Sequence, residues 1–176
     1  MTARGNRRSA IYRDEGDSAL YLSLLLLTLE RYAWELHAWC LMTTHFHLLV
    51  TTPEPNLAAA MQYVNARYAE AFNARYGLSG HLFQGRYGSV VVQSDEQLLL
   101  TYRYIARNPV RADICRRAEE WPWSSYSGLV RRLEGRLYAP PALLAGFDGG
   151  GLRALRAYVE CADAGEAEAR GAMAGV

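Results

Sequence analysis

The sequence predicts an α+β fold, with helices packed on one face of an antiparallel sheet. Two observations carry that prediction. Apolar residues recur at helical spacing in three long stretches, and between the first two lie two adjacent runs rich in aromatic and branched residues. The resulting order is helix, two strands, helix, strand, helix, with room for one short strand at the N-terminus.

Asp14 to Tyr32 reads as the first helix. Asp14 or Asp17 can cap it, and Leu22, Leu25, Leu26 and Leu29 form its stripe. Trp34–Met42 and His45–Thr51 read as strands joined at Thr43 and Thr44, and Pro53 and Pro55 close the unit. Asn56 is a candidate cap for a helix reaching Tyr76, with Leu57, Met61, Val64, Tyr68 and Phe72 on one side and Gly77 as its stop. Phe83 to Val92 reads as another strand. Ser94 caps the next helix, with Gln97 at the capping-box position; Leu98, Leu99, Tyr102 and Ile105 make its stripe, and it ends near Asn108-Pro109. Trp121-Pro122-Trp123 is a packing element. Helical pieces follow around Pro141–Ala145 and Gly151–Cys161, and the Ala/Gly/Glu tail after Ala162 reads as disordered.

The 176 residues suit one domain and can bury a core without staples. An apolar share of 51% with 21% charged residues excludes a disordered chain. The most apolar stretch, Ala19 to Leu29, is too short to span a bilayer and lacks signal-peptide flanks, so a cytoplasmic location is expected. Cys40, Cys115 and Cys161 are widely spaced, which argues against a zinc knuckle and for reduced thiols. Net charge is only +1, yet all 19 basic residues are arginine. A GC-rich coding sequence accounts for most of that choice, although arginine also grips phosphates bidentately. Arg4, Arg7, Arg8 and Arg13 cluster early, Arg103, Arg107, Arg111, Arg116 and Arg117 later, while acidic residues crowd the last third. A near-neutral total can therefore hide a basic face.

His45-Phe46-His47 falls on a strand, where side chains alternate, so both imidazoles face one side. Such a pair can bind one divalent metal, although two ordinary half-buried histidines would look the same. On the following helix Tyr104 and Asn108 are four apart and share a face. Asn108 offers an amide oxygen to a hard cation, and Tyr104 offers a phenol that could attack phosphorus. With 12 tyrosines in the chain, Tyr104 taken alone could as well be a core aromatic.

The stretch Trp39 to Val50, containing His45-Phe46-His47, resembles the metal-binding strand of the IS200-like transposases, and in particular their REP-associated tyrosine transposase branch. Arg4-Gly5-Asn6-Arg7-Arg8, Gly80 to Tyr87, Tyr104 to Ala112 and Trp121 to Tyr126 resemble that branch too, in the same order. The resemblance covers roughly residues 3 to 128. It implies a ferredoxin-like catalytic domain acting on single-stranded DNA beside a folded hairpin. His45, His47 and Asn108 would then ligate Mg²⁺ or Mn²⁺, and Tyr104 would be the nucleophile, leaving a 5′-phosphotyrosine that a 3′-hydroxyl can later reverse. A phenol ionises near pH ~10, so such a nucleophile needs activation. Arg4, Asn6, Arg7, Arg86, Tyr87, Arg107 and Arg111 are the candidates for contacting DNA. The implied organisation is a catalytic domain over 1–128, a helical extension over 129–162 and a tail over 163–176, with a monomer favoured over a homodimer.

Two features depart from the family pattern. Only Met1 to Ala3 precede Arg4, so the first strand is expected to be truncated, leaving a sheet edge open. Thr43-Thr44 stands where the family commonly has Pro-Asn, which puts a contact behind His45 in question. The alternative function is an inactive or domesticated module that holds hairpin DNA without cutting. A histidine-based nucleotide hydrolase would need a third histidine at position 49, where the chain has Leu49.

Overall fold

The run of aromatic and branched residues folds back on itself at Thr43-Thr44, and this hairpin is the centre of the molecule. The computed structural model describes residues 1–138 and 151–161. Strands β1 (Thr2–Arg4), β2 (Glu35–Met42) and β3 (His45–Thr51) form one antiparallel sheet in the order β1-β3-β2. Helices α1 (Glu15–Arg31), α2 (Leu57–Tyr76), α3 (Asp95–Arg111), α4 (Ser125–Val130) and α5 (Gly151–Glu160) surround it, with 3-10 turns at Asn6–Arg8 and Ala118–Glu120. The fold is the α+β class that the sequence predicts.

Alternation along the strands splits the apolar residues into two cores. Trp39 and Leu41 of β2 and Phe46 and Leu48 of β3 face α1 and α2, packing with Leu22, Leu25, Leu29, Met61, Val64, Tyr68 and Phe72. Ala38, Cys40, Met42 and Leu49 face the other way, toward Tyr102, Ile105 and Ala106 of α3 and Leu155 and Val159 of α5. The sequence pattern places helices on one face; α1 and α2 lie there, while α3 and α5 cover the opposite face. The reason is physical: four small or apolar side chains on that second face also need cover, and helical periodicity does not say which side of a sheet a helix will choose.

β1 is three residues long and pairs Thr2 with His47, Ala3 with Phe46 and Arg4 with His45. The strand expected over Phe83–Val92 is not formed. That segment instead runs antiparallel beside β1 and the residue after it, with two isolated bridges, Gly5 with Phe83 and Thr2 with Gly88. β1 offers too short an edge to template more, and Val90 and Val91 run past it into an exposed stretch. On the opposite edge, Trp121 Nε1 donates to the Leu41 carbonyl, the Leu41 N–H donates to Trp123, and the Ser125 hydroxyl bonds Trp39. The predicted packing element therefore closes the β2 edge, as the 83–88 segment closes that of β1.

Helix ends follow local chemistry. Asp14 caps α1 by accepting from the Asp17 N–H, and Arg75 at the end of α2 pairs with both Asp14 and Asp17 at 2.7 Å, tying the two helices together. Gly77 ends α2 at φ 61°. Asn56 sits at the start of α2 but does not cap it: its side chain accepts from Trp34 Nε1 at 2.8 Å and donates to the Tyr32 carbonyl. Ser94 caps α3 through the Gln97 N–H, while the Gln97 side chain reaches the N–H of Gln93 rather than of Ser94. α5 matches the helix expected over Gly151–Cys161. The piece expected at Pro141–Ala145 and the tail after Ala162 lie outside the described residues. Cys40, Cys115 and Cys161 are unpaired thiols.

Candidate active site

The strand period decides the site. Phe46 is fully buried among Tyr21 and Phe83, with the Tyr21 ring centroid 4.9 Å away. A one-residue slip would drive His45 and His47 into that aromatic core, so burial of Phe46 fixes both imidazoles on the α3 face. Their rings stand 5.0 Å apart, centroid to centroid, at 89°.

α3 brings the remaining residues to the same place. The Tyr104 ring lies 5.6 Å from the His47 ring, edge to face at 87°. The Asn108 side chain, one turn on and buried, lies beside His45 and favours its protonated form. The Arg111 guanidinium, two turns on from Tyr104, lies over its ring at 4.8 Å. Spacings of four and seven residues keep all three on one helical face.

The electrostatics make both histidines neutral. Burial holds His47 well below the usual imidazole range, reinforced by His45, the Met1 amino group, Arg4 and Arg111. Burial and Arg4 lower His45 as well, against the opposing pull of the nearby Asn108 amide. A neutral imidazole is the form that ligates metal. Both ring nitrogens of His47 are buried without a hydrogen-bond partner among the described residues. Leaving them so costs free energy that a bound cation would offset at one of them. Thr44 Oγ1 lies 3.1 Å from His45 Nδ1, the kind of contact that orients a ligating ring for its other nitrogen. The Thr43-Thr44 turn thus supplies a contact behind His45; position alone, directly before the histidine pair, could have suggested it. No group of three His, Cys, Asp or Glu gathers among the described residues, so a metal here would rest on His45, His47 and the Asn108 amide, a set that suits a divalent cation.

The DNA-contact candidates separate into groups. Arg4, Asn6, Arg7 and Arg86 are exposed on two adjoining segments: the Asn6 N–H donates to Leu82, and the Gln84 N–H donates to Arg4. Turn carbonyls hold the first segment in place, Thr44 accepting from Gly5 and Thr43 from Ile11. Arg7 and Arg8 both adopt left-handed backbone, at φ 53° and 58°. Tyr87 is half-buried against the first core. Arg111 belongs to the Tyr104 site. Arg107 goes elsewhere: its Nη1 donates to the Val159 and Glu160 carbonyls at the end of α5. Among the described residues no helix is long and apolar enough to cross a membrane.

Known proteins resemble this arrangement. A REP-associated tyrosine transposase of Haemophilus influenzae (strain ATCC 51907 / DSM 11121 / KW20 / Rd) is 30% identical over 111 residues, which is 56% of this chain and 62% of that protein. The matched part thus spans less than two thirds of that relative's length. A solved structure, described as a REP-associated tyrosine transposase bound to a REP hairpin, superimposes with a TM-score of 0.63 at 19% identity, covering 81% of this chain and 84% of its own. The family model for IS200-like transposases matches residues 1–108, which contain β1, the histidine pair, Tyr104 and Asn108, and the chain belongs to that family.

Proposed function

We propose that this protein is a single-strand DNA transposase that nicks and rejoins DNA at hairpin, REP-like elements through a 5′-phosphotyrosine on Tyr104. His47 carries the reading: a buried, neutral imidazole with two unused nitrogens, set against a tyrosine ring 5.6 Å away. Buried ring nitrogens are as a rule satisfied; His37 leaves one open and pairs the other with Thr51, whereas His47 leaves both open.

The Tyr104 oxygen would attack the scissile phosphorus in line and expel the 3′-oxygen, which leaves as a hydroxyl carrying the proton the phenol gives up. One phosphodiester replaces another at similar energy, so the step needs no ATP and a 3′-hydroxyl can reverse it. His45, His47 and Asn108 would hold Mg²⁺ or Mn²⁺, which supplies Lewis-acid relief of charge building on the phosphate. Asn108 stands between the two tasks, beside His45 and one turn from the nucleophile. The exposed Arg4, Asn6, Arg7 and Arg86 would hold phosphates or hairpin bases beside the cut. The protein would act as a monomer.

The test is a denaturing gel with a labelled single-stranded hairpin oligonucleotide and Mg²⁺ or Mn²⁺. A metal-dependent covalent adduct on the wild type that is absent in Tyr104→Phe supports the reading. Tight hairpin binding with no adduct would reject it.

A further inference from the structure

We infer that Arg111 is a further catalytic residue, whose Nη1 donates to a non-bridging oxygen of the phosphate that Tyr104 attacks. This rests on the reading of Tyr104 as the nucleophile.

Three observations meet at Arg111. Its guanidinium covers the Tyr104 ring at 4.8 Å. Its positive charge acts on His47 as well. Its Nη1 is buried and has no hydrogen-bond partner among the described residues. A guanidinium nitrogen shielded from water normally carries a carboxylate or carbonyl, because a buried charged donor left unmatched is costly. Arg107 obeys that rule one turn earlier, donating to the end of α5. Arg111 has its donor in place with no acceptor among the described residues, next to the side chain that must meet an anion.

The missing acceptor must reach the space shared by Tyr104 and His47, and a negative oxygen suits a guanidinium donor best. A phosphodiester oxygen satisfies both conditions. Guanidinium is the group best suited to it, since its planar fork holds a phosphate in a fixed orientation. Stacking on the Tyr104 ring fixes the fork relative to the attacking oxygen. In the step itself the Tyr104 oxygen forms the new bond to phosphorus, the bond to the 3′-oxygen breaks, and the phenol proton ends on that leaving oxygen. Arg111 transfers nothing. It holds the non-bridging oxygen as charge grows there, and it would hold the same oxygen in the phosphotyrosine.

The experiment measures single-turnover adduct formation at saturating hairpin DNA for wild type, Arg111→Ala and Arg111→Lys, with hairpin affinity and melting temperature measured in parallel. Removing one preorganised donor to a developing anion typically slows such a step by about 10²–10³-fold. The expected result is a slowing of that size in Arg111→Ala, hairpin affinity within about threefold of wild type, and partial recovery in Arg111→Lys, which keeps the charge but lacks the fork. On a substrate carrying a methyl group in place of one non-bridging oxygen of the scissile phosphate, the gap between wild type and Arg111→Ala should narrow about tenfold or more for the stereoisomer lacking the oxygen that Arg111 holds. A purely structural role would leave that gap unchanged. Arg111→Ala reacting at the wild-type rate, or losing affinity alone, overturns the inference and leaves Tyr104 as nucleophile. Wild type forming no adduct overturns both.

Discussion

His47 and Tyr104 meet edge to face, one from the central strand and one from the helix that covers it, with ring centroids 5.6 Å apart. The contact joins the two halves of the proposed chemistry. It also means that a change at His47 should be read through both stability and metal response.

His47→Leu should raise the stability of the metal-free protein and abolish its response to Mn²⁺. The wild-type ring buries two unpaired nitrogens, each unmatched polar group costing about 1–3 kcal/mol. Leucine of similar size removes that cost. Metal bound only to the native state stabilises by about 2.7 kcal/mol at one hundred times its dissociation constant. Thermal melts with EDTA and with Mn²⁺ separate the effects. A wild-type melting temperature that ignores Mn²⁺ would sink the metal site.

Acid should destabilise the metal-free protein between about pH 6.5 and the lowered native values of its histidines. His47, His45 and His37 all ionise below the usual imidazole range, each chiefly because of burial. Above pH ~6.5 both folded and unfolded chains keep these rings neutral, so they contribute no slope. As pH falls below that, the unfolded chain takes up protons that the native site refuses, and stability drops. A single such group can account for at most about 1.4 kcal/mol per pH unit. Denaturant melts in EDTA, run from neutral pH down to about one unit below the ordinary imidazole value, measure the slope, and His47→Leu should flatten it.

Much of this site is legible before any coordinates. A strand period of two puts His45 and His47 on one side, and a helical period puts Tyr104, Asn108 and Arg111 on another common face. What stays hidden depends on neighbours distant in sequence. Arg107 sits three residues from Tyr104 and looks like a site residue, yet the end of α5 claims it. Phe83–Val92 has strand composition, but the edge beside it is three residues long, so it forms bridges and no ladder. Asn56 has the right identity for a cap, and Trp34, which no local rule places nearby, takes its side chain instead.

Arg107→Ala should cost stability and spare DNA binding. Its guanidinium satisfies two carbonyls in the last turn of α5 at 3.0 and 3.3 Å. Hydrogen bonds to a charged donor contribute about 1.5–3 kcal/mol, and the side chain is half-buried, so a cost near the lower end is expected. Hairpin affinity should stay close to that of wild type. A strong drop in affinity at unchanged stability would return Arg107 to the DNA-contact group.

Gly5→Ala should weaken hairpin binding more than Ser9→Ala does, although neither position needs to touch DNA. Gly5 has ordinary extended backbone, φ −61° and ψ 143°, so conformational freedom is not its purpose. Space is. An added Cβ would run into the Ser9 carbonyl oxygen and come within 2.8 Å of Ile11 Cγ2, which is fully buried. Relieving that overlap has to move the loop carrying Arg4, Asn6 and Arg7, because the Gly5 and Ile11 N–H groups are both fixed to the Thr43-Thr44 turn. Overpacking of this kind typically costs about 1–3 kcal/mol. The same shift would pull the arginines out of register with Arg86 on the neighbouring segment. Each phosphate that the arginines no longer neutralise makes the slope of log affinity against log salt shallower by about 0.7–0.9. A salt titration of hairpin binding should therefore show a shallower slope in Gly5→Ala and an unchanged slope in Ser9→Ala, since the Ser9 side chain is exposed and its removal leaves the loop in place. Equal slopes in all three proteins would mean that the N-terminal loop does not grip the phosphate backbone.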